Sequence, residues 1–159
     1  MRRKDKQITA PEELEAVFKA GSIVTLCLMD NGSPYMVPLN YGYADGKLYF
    51  HSAREGRKAG LLESNPAVHG LVISQDELLC PEGATSACSL TTRYTSIMFE
   101  GRSEKIIDDA EKQRAMEVIL GHYAMGHLPL PEGSLNTVFL YRIHVDARTG
   151  KQSPVKKPA

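Results

Sequence analysis

The stretch from Tyr35 to Lys58, Y-M-V-P-L-N-Y-G-Y-A-D-G-K-L-Y-F-H-S-A-R-E-G-R-K, decides the fold. Runs rich in Val, Tyr and Phe flank Ala44-Asp45-Gly46-Lys47, and Asp-Gly supplies the positive φ that a tight reversal needs, so a β-hairpin is predicted. Ser52 followed three residues later by Glu55 has the form of a capping box, which predicts a helix starting where the second arm stops. Arg54, Arg57 and Lys58 then fall in its first turns. Free N–H groups, a partial positive charge and these side chains together make an anion site, suited to a phosphorylated ligand. A solvated basic turn would carry the same residues.

Outward from this segment, Thr9 and Glu12 predict a capped first helix with an apolar stripe at Leu14, Val17 and Phe18 and a stop at Gly21. Residues 23–29, Ile-Val-Thr-Leu-Cys-Leu-Met, read as a strand buried on both faces and closed by Asp30-Asn31-Gly32. Pro66 marks a break, and Val68–Ile73 reads as a fourth strand. Residues 75–87 read as a loop, and its length points to function. A fifth strand is predicted over Arg93–Ile107 with a bend or bulge at Gly101, then a helix capped by Asp108 and Glu111 carrying Ala115, Met116, Ile119 and Leu120. Thr137–Val145 closes the set. Six strands joined by short turns and interrupted by helices predict a mainly β (α+β) fold, a small antiparallel barrel with helices outside. Such a barrel fills its interior with its own side chains, so a planar ligand has to sit outside it.

The 159 residues, 42% hydrophobic, suffice for one core, predicted over residues 1–150, followed by a flexible basic tail over 151–159. The formal net charge is zero, but Arg2, Arg3, Lys4 and Lys6 open the chain while Lys151, Lys156 and Lys157 close it, leaving an acidic body. That distribution argues against a nucleic-acid surface, which needs cations clustered on one folded face. No apolar run reaches the length of a membrane span, and no apolar segment follows the basic start, so a cytoplasmic location is expected. Cys27, Cys80 and Cys88 are odd in number and irregularly spaced, which fits reduced thiols better than a disulfide framework or a metal site. The sequon Asn31-Gly32-Ser33 reads as a turn. His122 and His127 are five apart, off the spacing that joins two ligands on a helix, and no metal site is expected. No nucleophile elbow, Walker loop or dinucleotide-binding glycine motif is present, so any redox chemistry has to come from a cofactor.

The order strand, Tyr49-Phe50-His51-Ser52, gap, Gly56-Arg57-Lys58 resembles the flavin-phosphate segment of the pyridoxamine 5′-phosphate oxidase-like FMN-binding split barrels. The opening Met1-Arg2-Arg3-Lys4-Asp5 with Ile8-Thr9, the run Pro34–Tyr43, Leu61-Leu62-Glu63-Ser64-Asn65-Pro66 and Arg93-Tyr94-Thr95-Ser96-Ile97 resemble the nitroimidazole-resistance branch. The likeness covers Met1 to about Arg148 and thins after Ser74 and around Met125–Ser134.

The resemblance implies a six-stranded split barrel and FMN held in a groove between two subunits of a homodimer. It implies that Val37, Pro38, Leu39 and Asn40 run along the ring, and that His51 and Ser52 meet the ribityl and phosphate portions. Arg57 and Lys58 are then the phosphate clamp, with Tyr94 and Ser96 an aromatic-then-hydroxyl pair on a later strand; Arg54 is a weaker candidate. A neutral His51 near a flavin is a candidate catalytic residue, as hydrogen-bond or proton donor. The implied activity is reduction or oxidation of small molecules such as nitroaromatics or quinones, with a reduced nicotinamide as possible donor. Oxidation of pyridoxamine phosphate itself fits less well, because Leu140-Tyr141-Arg142-Ile143 offers one arginine and no second basic cluster closes the chain. Storage or sensing of flavin or haem without turnover is the alternative.

Overall fold

The computed structural model describes residues 2–80 and 82–154. Eight strands form one antiparallel sheet: β1 (Gln7–Ile8), β2 (Val24–Asp30), β3 (Ser33–Leu39), β4 (Gly42–Ala44), β5 (Lys47–Ala53), β6 (Ala67–Leu79), β7 (Thr91–Lys105) and β8 (Val138–Ser153). Helices α1 (Pro11–Ala20), α2 (Arg57–Ser64) and α3 (Asp109–His122) pack around it. The strand order is β3-β2-β6-β7-β8-β5-β4, with β1 added to β8. The mainly β, split-barrel prediction holds, with eight strands in place of six for two local reasons. One is the two-residue β1, which pairs with Gly150 and Lys151. The other is a break at Asn40-Tyr41: β3 pairs with β2, whereas β4 pairs with β5. The single arm expected over Pro34–Tyr43 therefore crosses from one end of the sheet to the other. Tyr41 anchors that crossing, its N–H donating to Tyr123 Oη at 2.9 Å and its own hydroxyl to the Phe18 carbonyl at 2.5 Å.

Both predicted tight turns form, with positive φ at Asn31-Gly32 and Asp45-Gly46. Gly101 lies at a bulge, where the β7–β8 register shifts between Glu100 and Gly101. A Cβ there would strike the His144 carbonyl, so the close approach of β8 requires glycine. Three predicted strands run longer than their apolar patterns. β6 continues to Leu79, so the link to β7 is residues 80–90 and not the loop expected from Gln75. β7 starts at Thr91, and β8 continues through Ser153, three residues into the expected tail; residues 155–159 lie outside the described residues.

The barrel is filled by Val24, Leu26, Leu28, Leu48, Phe50, Val68, Val72, Ile97, Phe99, Tyr141 and Ile143. Val17 and Phe18 of α1 extend this core, and Ala115 and Ile119 of α3 form a second cluster with Tyr49, Ile106 and Leu140. The interior is thus occupied by the chain itself. Outside it, two cross-strand rows lie on the opposite face of the sheet: Pro38-Thr25-Leu71-Met98 and Met36-Cys27-His69-Glu100. Met36 and Met98 are 61% and 62% exposed, an unusual degree for apolar side chains in the middle of a sheet face. No helix among the described residues is long and apolar enough to cross a membrane.

Candidate functional site

The predicted anion segment forms, with a different start. β5 pairs with β8 as far as Ala53 opposite Val138, so Ser52 is a strand residue, buried at 2% exposure between the exposed His51 and Ala53. Ser52 and Glu55 therefore make no capping box, and the helix begins five residues after Ser52, at Arg57. Its cap is Gly56, at φ 106° and ψ 171°, a conformation open only to glycine, with no side-chain cap hydrogen bond. The first intrahelical bond at this end runs from Gly60 N to Gly56 O at 3.1 Å. The amides of Arg57, Lys58 and Ala59 are therefore left without intrahelical acceptors. The first turn holds no acid.

Lys58 is half-buried, and burial pushes its ammonium below the ordinary lysine value. Surrounding protein, and secondarily the charge of Lys58, likewise push the His51 imidazole below the usual histidine value. Among the described residues, neither Lys58 nor His51 has a hydrogen-bond or ion-pair partner. A partly desolvated ammonium without a counter-ion costs free energy that a bound anion removes. Arg57 differs. Its Nε donates to Asp30 Oδ2 at 2.7 Å, Nη2 lies 2.6 Å from the same oxygen, and the guanidinium sits 4.6 Å from the Tyr35 ring centroid. The clamp predicted as a pair is thus one free cation, Lys58, beside one already held by the β2–β3 hairpin. The sequence marks Asp30 only as a turn residue; its contact with Arg57 joins positions 27 residues apart, which no local pattern signals.

Along β3, Val37 and Leu39 pack against the barrel core, whereas Pro38 and Asn40 are exposed. β3 ends the sheet, so Pro34 and Pro38 put their missing N–H groups on its open side. Contact of Arg57 with Tyr35 and Asp30, and of α2 with β2 and β5, brings the start of α2, the end of β5 and the β2–β3 hairpin together. Tyr94 and Ser96 are not brought there. They lie on β7, with β6 and β2 between it and β3, and share the outward face with Met98. The Tyr94 ring carries Lys151 Nζ 5.5 Å from its centroid. Arg54 turns elsewhere too, donating to the Asn136 carbonyl at 2.8 Å and lying 5.1 Å from the Phe139 ring centroid. Arg142 is absorbed by Glu104 at 2.8 Å and Glu111 at 3.3 Å.

Residues 10–152 match the family model described as pyridoxamine 5′-phosphate oxidase. Solved structures give the same fold. One, a crystal structure from Bacteroides thetaiotaomicron assigned to 5-nitroimidazole antibiotic resistance, is 28% identical, with TM-score 0.80 over 91% of this chain and 85% of that one. An FAD and haem binding protein from Mycobacterium smegmatis is 20% identical, with TM-score 0.80 over 97% and 77% of the two chains. A flavocytochrome from Azotobacter vinelandii is 21% identical, with TM-score 0.80 over 99% and 72%. A search of curated proteins finds no match.

Proposed function

This chain belongs to the pyridoxamine 5′-phosphate oxidase family, and we propose that it is a flavin-binding oxidoreductase holding FMN by its phosphate at the start of α2. The observation that carries this reading is the half-buried, unpaired Lys58 beside uncapped amides and an unpaired His51. Structural neighbours that bind FAD and haem or are flavocytochromes support a flavin as the ligand class.

Lys58 and the amides of Arg57, Lys58 and Ala59 bind the phosphate, and Arg57 shares its charge between that phosphate and Asp30. The backbone of Val37 and Leu39, with exposed Pro38 and Asn40, flanks the ring. When bound, the flavin supplies hydride transfer from a reduced nicotinamide to a small acceptor such as a nitroaromatic or quinone. His51, whose pKa is depressed by burial and Lys58 in the ligand-free protein, donates one ring N–H hydrogen bond to the ligand or acceptor.

A second copy completes the site in this reading. The exposed row containing Met98 and Pro38 is the surface it covers, excluding water from one side of the ring. In a homodimer of this kind, Tyr94 and Ser96 of one copy reach the flavin held by the other, a role their distance from β3 within one chain denies them. Cys27, Cys80 and Cys88 form no disulfide among the described residues, which fits a cytoplasmic protein.

Purified protein reconstituted with FMN is expected to be yellow and dimeric, and to lose flavin absorbance under anaerobic NADH or NADPH. Colour should return on adding a nitroaromatic or a quinone. Bound but inert flavin would leave storage as the function, a Soret band would indicate haem, and failure to retain any flavin would remove the reading.

A further inference from the structure

A second cationic cavity lies on the α3 side of the barrel end, and it plays no part in the flavin reading. It has a volume of about 350 Å³ and is lined by Arg54, Lys105 and Lys112 together with apolar residues that include Val138, Phe139 and the buried Ile106. The three cations come from three separate places: the link after β5, the last residue of β7, and the first turns of α3. No helical or strand periodicity puts them together; the fold does. Each of the other four cavities described carries at least one carboxylate in its wall: Glu100, Asp45 with Glu111, Asp109 with Glu132, or Glu117. This one has none.

The cations are held in place without being neutralised inside the cavity. Lys105 Nζ sits 3.3 Å from the Phe139 ring centroid and 3.0 Å from Glu63; the Arg54 guanidinium is 5.1 Å from the same centroid and bonds only the neutral Asn136 carbonyl. Lys112 pairs with Asp109 at 2.7 Å, but that carboxylate is 91% exposed and stands outside the wall. Exposed ion pairs of this kind are weak, so exchanging their carboxylates for a ligand's anion costs little. Ile107, 71% exposed at the mouth, leaves apolar surface that a ligand body can cover.

We propose that this cavity binds a small organic anion, a carboxylate or phosphate carried on an aromatic or branched apolar body. Cations and apolar side chains in one cavity match the two ends of such a molecule. The volume suits one or two rings and excludes a dinucleotide.

Calorimetric titration of the FMN-saturated protein with 2-naphthoate, its neutral amide and phenyl phosphate tests this. Saturable one-to-one binding of at least one anion is expected, with 2-naphthamide weaker than 2-naphthoate by about tenfold or more if naphthoate is the ligand. A preference between naphthoate and phenyl phosphate identifies the head group. Arg54→Gln and Lys112→Gln should each weaken the anion by about tenfold while leaving FMN retention unchanged. The proposal is overturned if neither anion binds at millimolar concentration, if 2-naphthamide binds as well as the anion that binds, if FMN and the anion displace each other, or if both variants bind as the wild type does.

Discussion

Helices α2 and α3 both pack on β5, and their first turns are built in opposite ways. At α3, the Asp108 carboxylate accepts from Glu111 N at 2.9 Å, and Asp109 and Glu111 add acids where the helix dipole favours them. Glu111 is in turn paired with Arg142, which is paired with Glu104. At α2, a glycine replaces the cap, no acid is present, and two cations face the positive end of the dipole. Such cations cost roughly 0.3–1 kcal/mol each at an exposed helix start. One helix start is complete within the chain. The other is complete only when something negative arrives, and that difference locates the proposed flavin phosphate.

The largest expected effect breaks the contrast from the α2 side. Arg57→Ala with Lys58→Ala removes both cations, and loss of charge-assisted hydrogen bonds at about 1.5–3 kcal/mol each should weaken FMN by about a hundredfold or more in a fluorescence titration. The thermal midpoint of the flavin-free protein should move little, since the Arg57 side chain is 59% exposed and an ion pair with one exposed partner contributes little. The reverse pattern is expected from Asp108→Ala: about 1 kcal/mol of stability lost in denaturant unfolding, with FMN affinity unchanged. A smaller effect sharpens the role of Asp30. Asp30→Asn releases Arg57 and removes a negative charge near the phosphate, so FMN affinity should rise about threefold, consistent with a surface pair worth under about 1 kcal/mol.

Acid titration gives the smallest effects; in both regions a group is shifted downward, by hydrogen bonds to the charged form at Glu104 and by burial at His51, and the pH windows differ. Hydrogen bonds from Arg142 first, then His144, hold the Glu104 carboxyl at about 2. Its contribution is present above the unfolded value of 4.5 and is lost as pH falls from there toward 2, so Glu104→Gln should flatten that limb of a stability-against-pH curve. Its exposure keeps the slope shallow. His51 is held below 6.5, so the unfolded chain takes up its proton first, and stability falls as pH drops through the window just below that value. A phosphate beside His51 reverses the shift. Near pH 6, FMN binding by the wild type should therefore take up more protons, or release fewer, than FMN binding by His51→Gln, read by calorimetry in buffers of different ionisation enthalpy, the phosphate's own titration near pH 6 being common to both.

Local chemistry was legible where neither a distant strand nor an adjacent proline competed for it. Asp108 and Glu111 form the predicted cap because both lie outside the strands. Ser52 and Glu55 carry the same spacing, yet β8 pairs with β5 through Ala53 and the strand wins. At Thr9 and Glu12, Pro11 takes the first helical position, leaving Ala10 as the cap with no side-chain bond. Strand ends at Leu79 and Ser153 were missed because they follow from pairing with the long β7, not from their own apolar pattern. Gly101 was legible, since a glycine inside a strand marks a bulge or a close approach, and it is both. The cations of the anion segment could be read directly. Which of them is free could not, because Asp30 and Asn136, which occupy Arg57 and Arg54, lie 27 and 82 residues away.

Comparing FMN with riboflavin on the same protein isolates the phosphate and so tests the start of α2 most directly. FMN should bind wild type at least about tenfold more tightly than riboflavin, and that advantage should collapse in Lys58→Ala while riboflavin affinity stays constant. Equal binding of the two flavins by the wild type, or an FMN advantage that survives Lys58→Ala, would contradict the account.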